Sequence, residues 1–132
     1  MTSELHWLTL TCLVTALMWI PYILNRIKVR GLVAALANPK PDDKPHDPWA
    51  DRAMRAHTNA VENLVVFAPL VLVAHLVDIH SGVTQSAAAI YFFSRLAHYI
   101  VYILGIPVLR TLVFTVSWLA ILAIALAILG VM

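Results

Sequence analysis

Four apolar runs, each close to the length needed to cross a bilayer, constrain the fold of this chain. They cover about residues 5–24, 53–77, 86–104 and 108–132, and a helix needs roughly 20 mostly apolar residues to span the hydrocarbon core. Hydrophobic residues make up 61% of the 132 residues and charged residues only 12%, about half the charged share of a soluble domain. The sequence therefore predicts an all-α integral membrane protein, a four-helix bundle that forms one membrane domain over residues 1–132.

The connections between the runs differ sharply in charge. The first, about residues 25–52, is rich in proline and aspartate, which favours a loop, and it holds most of the lysines and arginines of the chain. The second, DIHSGVTQ, has none, and the third ends at Arg110. Loops rich in lysine and arginine stay in the cytoplasm. We therefore expect the first and third connections to face the cytoplasm and both termini to lie on the other side.

Composition and motifs exclude several other classes of protein. The net charge of +2, without a block of basic residues, gives no indication of a nucleic-acid partner. Cys12 is the only cysteine, so no internal disulfide forms. Neither GxGxxG nor a P-loop is present, and His57 and Glu62 lack the HExxH spacing of a zinc site, so no metal is expected. The N-terminus, MTSELHW, lacks the positive region of a cleaved signal peptide, so we expect the first run to be a retained span.

Polar side chains form a stripe on the second and third predicted spans. At 100° per residue, an arc of about 80° on the second helix holds Arg52, Arg55, Asn59 and Glu62. An arc of about 60° on the third holds Tyr91, Arg95, His98 and Tyr102. Ionisable groups at membrane depth usually face a bundle interior or a wet cavity. We therefore expect the two stripes to meet, and Glu62 to pair with an arginine, Arg95 being one candidate.

Each of these residues also has a purely structural interpretation. Polar side chains can hold helices together, and Glu62 with Arg95 can act as an ion pair that sets helix register. Taken singly, Arg52 and Arg55 are snorkelling anchors near a helix end, and His98 is a hydrogen-bonded interior histidine. Taken as a group, the residues indicate a site, reached from the cytoplasmic leaflet, for a polar ligand that carries both charges.

Three stretches of the sequence resemble those of a known family. RAHTNAVE, residues 55–62, is similar to the RA-[HQ]-x-N-x-x-E signature of the MAPEG family, the membrane-associated proteins of eicosanoid and glutathione metabolism. LANPKPDD, residues 36–43, resembles the loop that precedes that signature, and RLAHYIVYILG, residues 95–105, resembles a stretch of a catalytic member. The likeness covers nearly the whole chain. It is to a bacterial branch of the family, which implies a bacterial inner membrane.

The resemblance implies a homotrimer that binds glutathione as cosubstrate between neighbouring subunits, near the cytoplasmic side. By position, the glutathione-binding residues would be Arg55, Asn59, Glu62, Arg95, His98 and Tyr102. Glu62 would hold the γ-glutamyl ammonium, and either Arg26 or Arg30 would hold a carboxylate. By the same analogy, Arg110 and Thr111 are the candidates that would activate the thiol. The other partners implied are membrane lipid and a lipophilic small molecule that enters from the bilayer.

Three functions remain open at this point. The first is a glutathione transferase or peroxidase in which the glutathione thiolate attacks lipophilic electrophiles or lipid hydroperoxides. Catalytic members carry more basic residues in the connection that here reads ILGIPVLRT, residues 103–111, so the resemblance is stronger for binding than for catalysis. The second is a non-catalytic lipid-binding scaffold that resembles the five-lipoxygenase-activating protein. The third is a small transporter or structural membrane protein. Four short helices leave only a narrow path for a transported solute.

Overall fold

The computed structural model describes all residues, 1–132, and its secondary structure is entirely helical. The helices are α1 Ser3–Leu17, α2 Trp19–Arg30, α3 Leu32–Leu36, α4 Pro48–Leu76, α5 Gly82–Leu104 and α6 Pro107–Ile128. Four segments are long and apolar enough to cross a membrane: Ser3–Arg30, which contains α1 and α2, and each of α4, α5 and α6. The predicted all-α fold with four spanning segments is confirmed.

The bundle is organised around α5, which packs against α1, α4 and α6. The rings of Phe67 on α4 and Tyr91 on α5 stack with centroids 3.7 Å apart at the centre of the core. Leu8, Ile121 and Ile124 pack into the same buried cluster. On the first half of α4 the buried positions are alanines, at residues 50, 53, 56 and 60. Small side chains let neighbouring helices approach closely, which brings the polar stripes within reach of each other.

The first spanning segment is interrupted, whereas the sequence predicted one span over residues 5–24 with a kink near its end at Pro21. α1 ends at Leu17 and α2 begins at Trp19. Pro21 explains the break, because a proline cannot donate to the carbonyl four residues earlier and its ring clashes with that carbonyl. Tyr99 on α5 donates a 2.9 Å hydrogen bond to the Met18 carbonyl at the break. A polar side chain of the neighbouring helix thus satisfies a backbone group where the helix stops.

The first loop is shorter than the predicted range of 25–52. α2 continues to Arg30, and basic residues in the last turn of a helix are favoured by its dipole. α4 begins at Pro48, which suits the first helical position because a proline lacks the amide hydrogen left unpaired there. The loop is anchored to α2: Asn25 Nδ2 donates to Asp47 Oδ2 at 2.8 Å, and the Asp47 amide donates to Asn25 Oδ1 at 3.1 Å.

Two other helix ends differ from the predicted spans. α5 begins at Gly82, not near residue 86, because Ser81 and Thr84 form a capping box. The Thr84 amide donates to Ser81 Oγ at 3.2 Å, and the Ser81 amide donates to Thr84 Oγ1 at 2.9 Å. α6 ends at Ile128, short of the predicted residue 132, and Gly130 adopts a φ of +74° just beyond it. Left-handed glycines are typical of helix C-termini.

Candidate functional site

Two polar grooves adjoin each other where α4, α5 and α6 come together. Groove A has a volume of about 350 Å³ and is lined by Asp51, Met54, Arg55, Thr58, Asn59, Glu62 and Tyr102. Groove B has a volume of about 290 Å³ and is lined by Asn59, His98, Tyr102, Arg110, Thr111 and Phe114. Because both grooves include Asn59 and Tyr102, they form one continuous polar region to which both predicted stripes contribute.

The two stripes meet, as predicted, at a hydrogen bond between α5 and α4. Arg95 Nη2 donates to Asn59 Oδ1 at 2.6 Å. Asn63, one turn further along α4, donates through Nδ2 to the same oxygen at 3.3 Å and to the Asn59 carbonyl at 2.8 Å. Arg95 is only 3% exposed. Two donors therefore fix the orientation of the amide that the two grooves share.

Several buried polar atoms near this junction have no hydrogen-bond partner within the chain. They include Nε and Nη1 of Arg95 and Nδ1 of His98. An unsatisfied buried group costs about 1–3 kcal/mol, so such atoms usually have an ordered water or a ligand as their partner. The His98 side chain lines groove B, although its unpaired Nδ1 atom is buried. The junction of α4 and α5 therefore holds polar atoms whose hydrogen-bonding capacity the chain itself does not use.

Arg110 is held over an aromatic ring in groove B. Its guanidinium carbon lies 4.5 Å from the centroid of the Tyr102 ring, and a cation above an aromatic face is attracted by the negative face of the ring. The His98 ring meets Tyr102 edge-on, with centroids 5.6 Å apart. Arg110 makes no ion pair in the chain. A half-buried cation with free N–H donors therefore lies at this end of the site.

The Thr111 hydroxyl, predicted to be a hydrogen-bond donor to a thiol, already donates within its own helix. Its hydroxyl donates to the Pro107 carbonyl, at 3.2 Å, within the first turn of α6. The hydroxyl hydrogen is thus engaged by the helix backbone, which is the usual local bond of a threonine within a helix. Of the two residues predicted to activate a thiol, Arg110 is the one whose donors are free.

Glu62 does not pair with an arginine of its own chain, contrary to the prediction. Its carboxylate is exposed in groove A, at the midpoint of α4, without an ion pair. The physical reason is angular: Glu62 lies about 60° from Asn59 around the helix axis, so α5 meets only one of them. Arg95 consequently bonds to Asn59. Groove A therefore presents a free carboxylate.

Arg55 also lies in groove A, where Asp51 is its partner. The Arg55 Nε and Asp51 Oδ2 atoms are 3.2 Å apart, and the two side chains are 69% and 53% exposed. An exposed pair one helical turn apart contributes only about 0.3–0.5 kcal/mol. The guanidinium can therefore exchange Asp51 for an anionic ligand at little cost.

Arg52, the first member of the stripe on α4, lies outside both grooves. Its Nε donates to the Ile103 carbonyl at 2.9 Å, at the end of α5. Its guanidinium lies against Gly105, the left-handed residue that terminates α5. Arg52 thus does not line the grooves, and it fixes the connection between α5 and α6.

Arg26 and Arg30 also lie outside both grooves and are bound to the first loop. Arg26 Nε donates to His46 Nε2 at 3.1 Å. Arg30 Nε donates to the Lys44 carbonyl at 2.7 Å, and its Nη1 lies 3.7 Å from Asp43 Oδ2. Burial, together with the positive charges of Arg26 and Arg30, lowers the pKa of His46. His46 therefore stays neutral and can accept the hydrogen bond from Arg26.

Sequence analysis missed the residues that complete the grooves. Asn63 orients Asn59. The sequence could have revealed this contact, because Asn63 follows Asn59 by four residues and residues four apart share a helix face. Asp51, Met54 and Thr58 line groove A through the same periodicity. Phe114 lines groove B from α6, a helix with too few polar residues to reveal its inner face. No group of three or more histidine, cysteine, aspartate or glutamate side chains suited to a metal ion occurs in the chain.

Comparison with known proteins agrees with the fold. No curated protein shows a significant match to the chain. The profile of the MAPEG family, in contrast, matches residues 5–130. This match covers all four spanning segments and both grooves, and it confirms the resemblance carried by RAHTNAVE. The chain therefore belongs to the MAPEG family, and it is an integral membrane protein of the glutathione and eicosanoid metabolism type.

Proposed function

We propose that this protein is a glutathione-dependent membrane enzyme, a transferase or peroxidase that acts on lipophilic electrophiles or lipid hydroperoxides. One observation carries the proposal: the two grooves place an unpaired carboxylate, Glu62, at one end and an unpaired guanidinium, Arg110, at the other. Glutathione carries an ammonium and a carboxylate at its γ-glutamyl end, a thiol on its central cysteine between two amides, and a second carboxylate on its glycine. Glu62 complements the ammonium, Asn59 the amides, and Arg110 the thiolate of the central cysteine.

The γ-glutamyl end and the amides of the ligand have partners in groove A. The γ-glutamyl ammonium lies against Glu62, and the neighbouring carboxylate takes the guanidinium of Arg55 in exchange for Asp51. Asn59, whose amide is oriented by Arg95, offers a donor to the peptide carbonyls through its Nδ2. Charge-assisted hydrogen bonds of this kind are about twice as strong as neutral ones, so we expect the two charged contacts to dominate affinity.

Arg110 favours the reactive form of the ligand in groove B. The thiolate is the nucleophile of a thiol, and a cation close to sulfur favours the thiolate over the thiol. In a transfer reaction, the sulfur forms a bond to the electrophilic carbon and the leaving group departs with the bonding electrons. With a hydroperoxide, the sulfur forms a bond to the terminal oxygen and the O–O bond breaks, which gives a sulfenic acid. The oxygen that remains on the lipid is then protonated to give an alcohol. A second glutathione then converts the sulfenic acid to the disulfide and releases water.

The proposal includes assembly of the chain into a homotrimer, with the site between subunits. Glu62 and Arg55 are exposed in the single chain, although they belong to a membrane-spanning helix. Ionisable side chains at such positions normally face a protein interior or a wet cavity, which a neighbouring subunit supplies. Arg26 or Arg30 of that neighbour then reaches the ligand. The number of subunits and the bacterial cell follow from the resemblance to the family. The orientation, with the first loop in the cytoplasm, follows from the lysines and arginines of the first and third connections.

The experiment that tests the chemistry is measurement of thiolate formation, followed through its ultraviolet absorbance on mixing protein with reduced glutathione. Wild type gives a thiolate signal and turns over an electrophile. Arg110→Ala loses the signal and the turnover but keeps most of its affinity for glutathione, while Arg110→Lys recovers part of the signal. Unchanged thiolate formation in Arg110→Ala would remove Arg110 from the mechanism.

A lipid-binding scaffold is the second candidate, because one further pocket favours it. An apolar pocket of about 360 Å³ lies between α5 and α6, and seven of its eight lining residues are hydrophobic. A fatty acyl chain suits such a surface. Saturable fatty-acid binding without any thiolate signal or turnover in wild type would favour the scaffold over the enzyme.

A further inference from the structure

The short helix α3 presents large apolar side chains that no other part of the chain covers. Leu32, Val33 and Leu36 are 58%, 84% and 76% exposed. By helical geometry they lie within an arc of about 100°. No residue of α3 is buried, and α2 is the only helix against which α3 packs. Leaving such a face in water would be unfavourable, since burial of apolar area is the main driving force of association.

The opposite side of α3 is turned toward the first loop. Ala34 lines a polar pocket of about 220 Å³, together with Val29, Arg30, Asp42, Asp43 and Lys44. Ala34 lies roughly 150° around the helix from the centre of the apolar face. α3 itself has no polar residue, but it turns Ala34 toward the polar loop and its large apolar side chains outward. The helix and the adjacent loop together therefore form an amphipathic surface.

The position of α3 in the chain places it at a membrane surface. The first spanning segment ends at Arg30, and Gly31, with a φ of +83°, turns the chain so that α3 follows at once. Three lysines flank the helix in sequence: Lys28, Lys40 and Lys44. All three are exposed and none forms an ion pair. An apolar face and unpaired cations thus occur together where the chain leaves the bilayer.

We propose that α3 is an interfacial anchor that binds anionic phospholipid in the leaflet next to the first loop. Leu32, Val33 and Leu36 lie at the boundary between headgroups and acyl chains, where amphipathic helices place their apolar faces. The three flanking lysines bind the negatively charged headgroups, because basic side chains close to a span are attracted to anionic lipid. A second copy of this chain fits the surface less well, since its first loop carries the same cations.

Spin labels test where the apolar face of α3 lies. In a Cys12→Ser background, one label is placed by Val33→Cys and a control label by Pro41→Cys in the exposed loop. The protein is studied in nanodiscs of phosphatidylcholine, with and without phosphatidylglycerol. The label at 33 is expected to collide mainly with dissolved oxygen, and the label at 41 mainly with a water-soluble nickel complex. A Leu36→Cys label repeats the measurement if the first variant does not fold.

Two results would overturn the anchor. Nickel collisions at 33 as frequent as those at 41 would place α3 in water. Low collision rates with both reagents at 33 would show that protein, such as a second copy, covers the face. A separate experiment tests the lysines. In the protein that carries the label at 33 and all three lysines, phosphatidylglycerol should increase the ratio of oxygen collisions to nickel collisions. This increase should be lost when Lys28→Gln, Lys40→Gln and Lys44→Gln are combined, and its persistence there would contradict the headgroup contacts.

Discussion

Asn59 is the side chain on which the geometry of the two grooves depends most. It lines both of them and is the only hydrogen-bond partner that the buried Arg95 guanidinium has within the chain. Its role combines structure and function: one atom, Oδ1, holds Arg95, while Nδ2 remains free for a ligand. The predicted ion pair between Glu62 and Arg95 would have left neither carboxylate nor guanidinium available.

Replacing Asn59 with alanine should therefore destabilise the protein. The Asn59→Ala variant leaves a buried charge without a partner, and we expect a loss of about 1–3 kcal/mol in the free energy of unfolding. Thr58→Ala is the matched control, because the Thr58 hydroxyl is exposed and bonds only to the Met54 carbonyl of its own helix. The control should change stability by less than about 0.5 kcal/mol. Chemical unfolding in detergent measures both, and equal stability of the two variants would contradict the structural role of Asn59.

The limits of sequence reasoning at single residues are clear from Glu62 and Arg52. Helical periodicity placed both in an arc of about 80° with Arg55 and Asn59, and that arc does face a polar region. Periodicity does not say which member of the arc meets the next helix. That depends on helix crossing and on the small alanines beneath, which bring Asn59 to Arg95 and leave Glu62 free. Arg52 reaches the end of α5 because α4 begins earlier than the apolar pattern indicates.

The connection between α5 and α6 depends on Gly105. This residue adopts a φ of +75°, and a Cβ atom there would lie 3.4 Å from the Arg52 guanidinium carbon. We expect Gly105→Ala to cost about 1–2 kcal/mol, the strain of a left-handed conformation for a residue with a side chain. Gly82→Ala is the control, because a Cβ there meets nothing within 4 Å. Thermal unfolding compares them, and a Gly105→Ala variant as stable as the control would contradict this view of the connection.

The attachment of the first loop to α2 should weaken in acid. The pKa of His46 is lowered in the folded protein, by burial and by Arg26 and Arg30, while Asp47 and Asp51 act in the opposite direction. Folding therefore favours the neutral imidazole, and the stability that it contributes is present above the ordinary value of 6.5. That contribution is lost as the pH falls below 6.5 toward the lowered value, because protonation removes the acceptor for Arg26.

Limited proteolysis of the first loop between about pH 8 and pH 5 measures this effect around the ordinary histidine pKa of about 6.5. Cleavage of wild type should accelerate as the pH falls. His46→Gln keeps an acceptor for Arg26 but does not titrate, so its cleavage rate should depend less on pH. The same pH dependence in wild type and in His46→Gln would exclude His46 as the cause.

The spanning helices could be predicted from hydropathy, but their breaks and extensions could not. A run of apolar residues looks the same whether or not the helix stops inside it. Pro21 indicated a kink near the end of the first span, but the position of the break at Met18 and its contact with Tyr99 required the structure. α3 was missed because LVAAL is too short to stand out between a basic turn and a proline-rich loop. The early start of α5 was encoded in the capping pair Ser81 and Thr84, a local signal that hydropathy does not register.

The proposed assembly of several copies would give the polar residues of α4 a protein environment within the membrane. Within one chain, Glu62 faces outward from the midpoint of α4, and Arg26 and Arg30 lie on the side where α2 meets the first loop. Closed symmetry can bring such separate surfaces together between copies. The proposed shared site would explain how a bundle with little interior of its own could hold the proposed ligand, a charged tripeptide.

The measurement that tests the central claim most directly is the melting temperature of the detergent-purified protein as reduced glutathione is added. A ligand at about a hundred times its dissociation constant adds roughly 2.7 kcal/mol of stability, so wild type should show a saturable rise. Glu62→Ala should melt like wild type without ligand, because this carboxylate has no partner in the chain, and it should lose the rise. Asp42→Ala, an exposed acidic control in the first loop, should keep it. The absence of any rise in wild type at millimolar glutathione would contradict the proposed site.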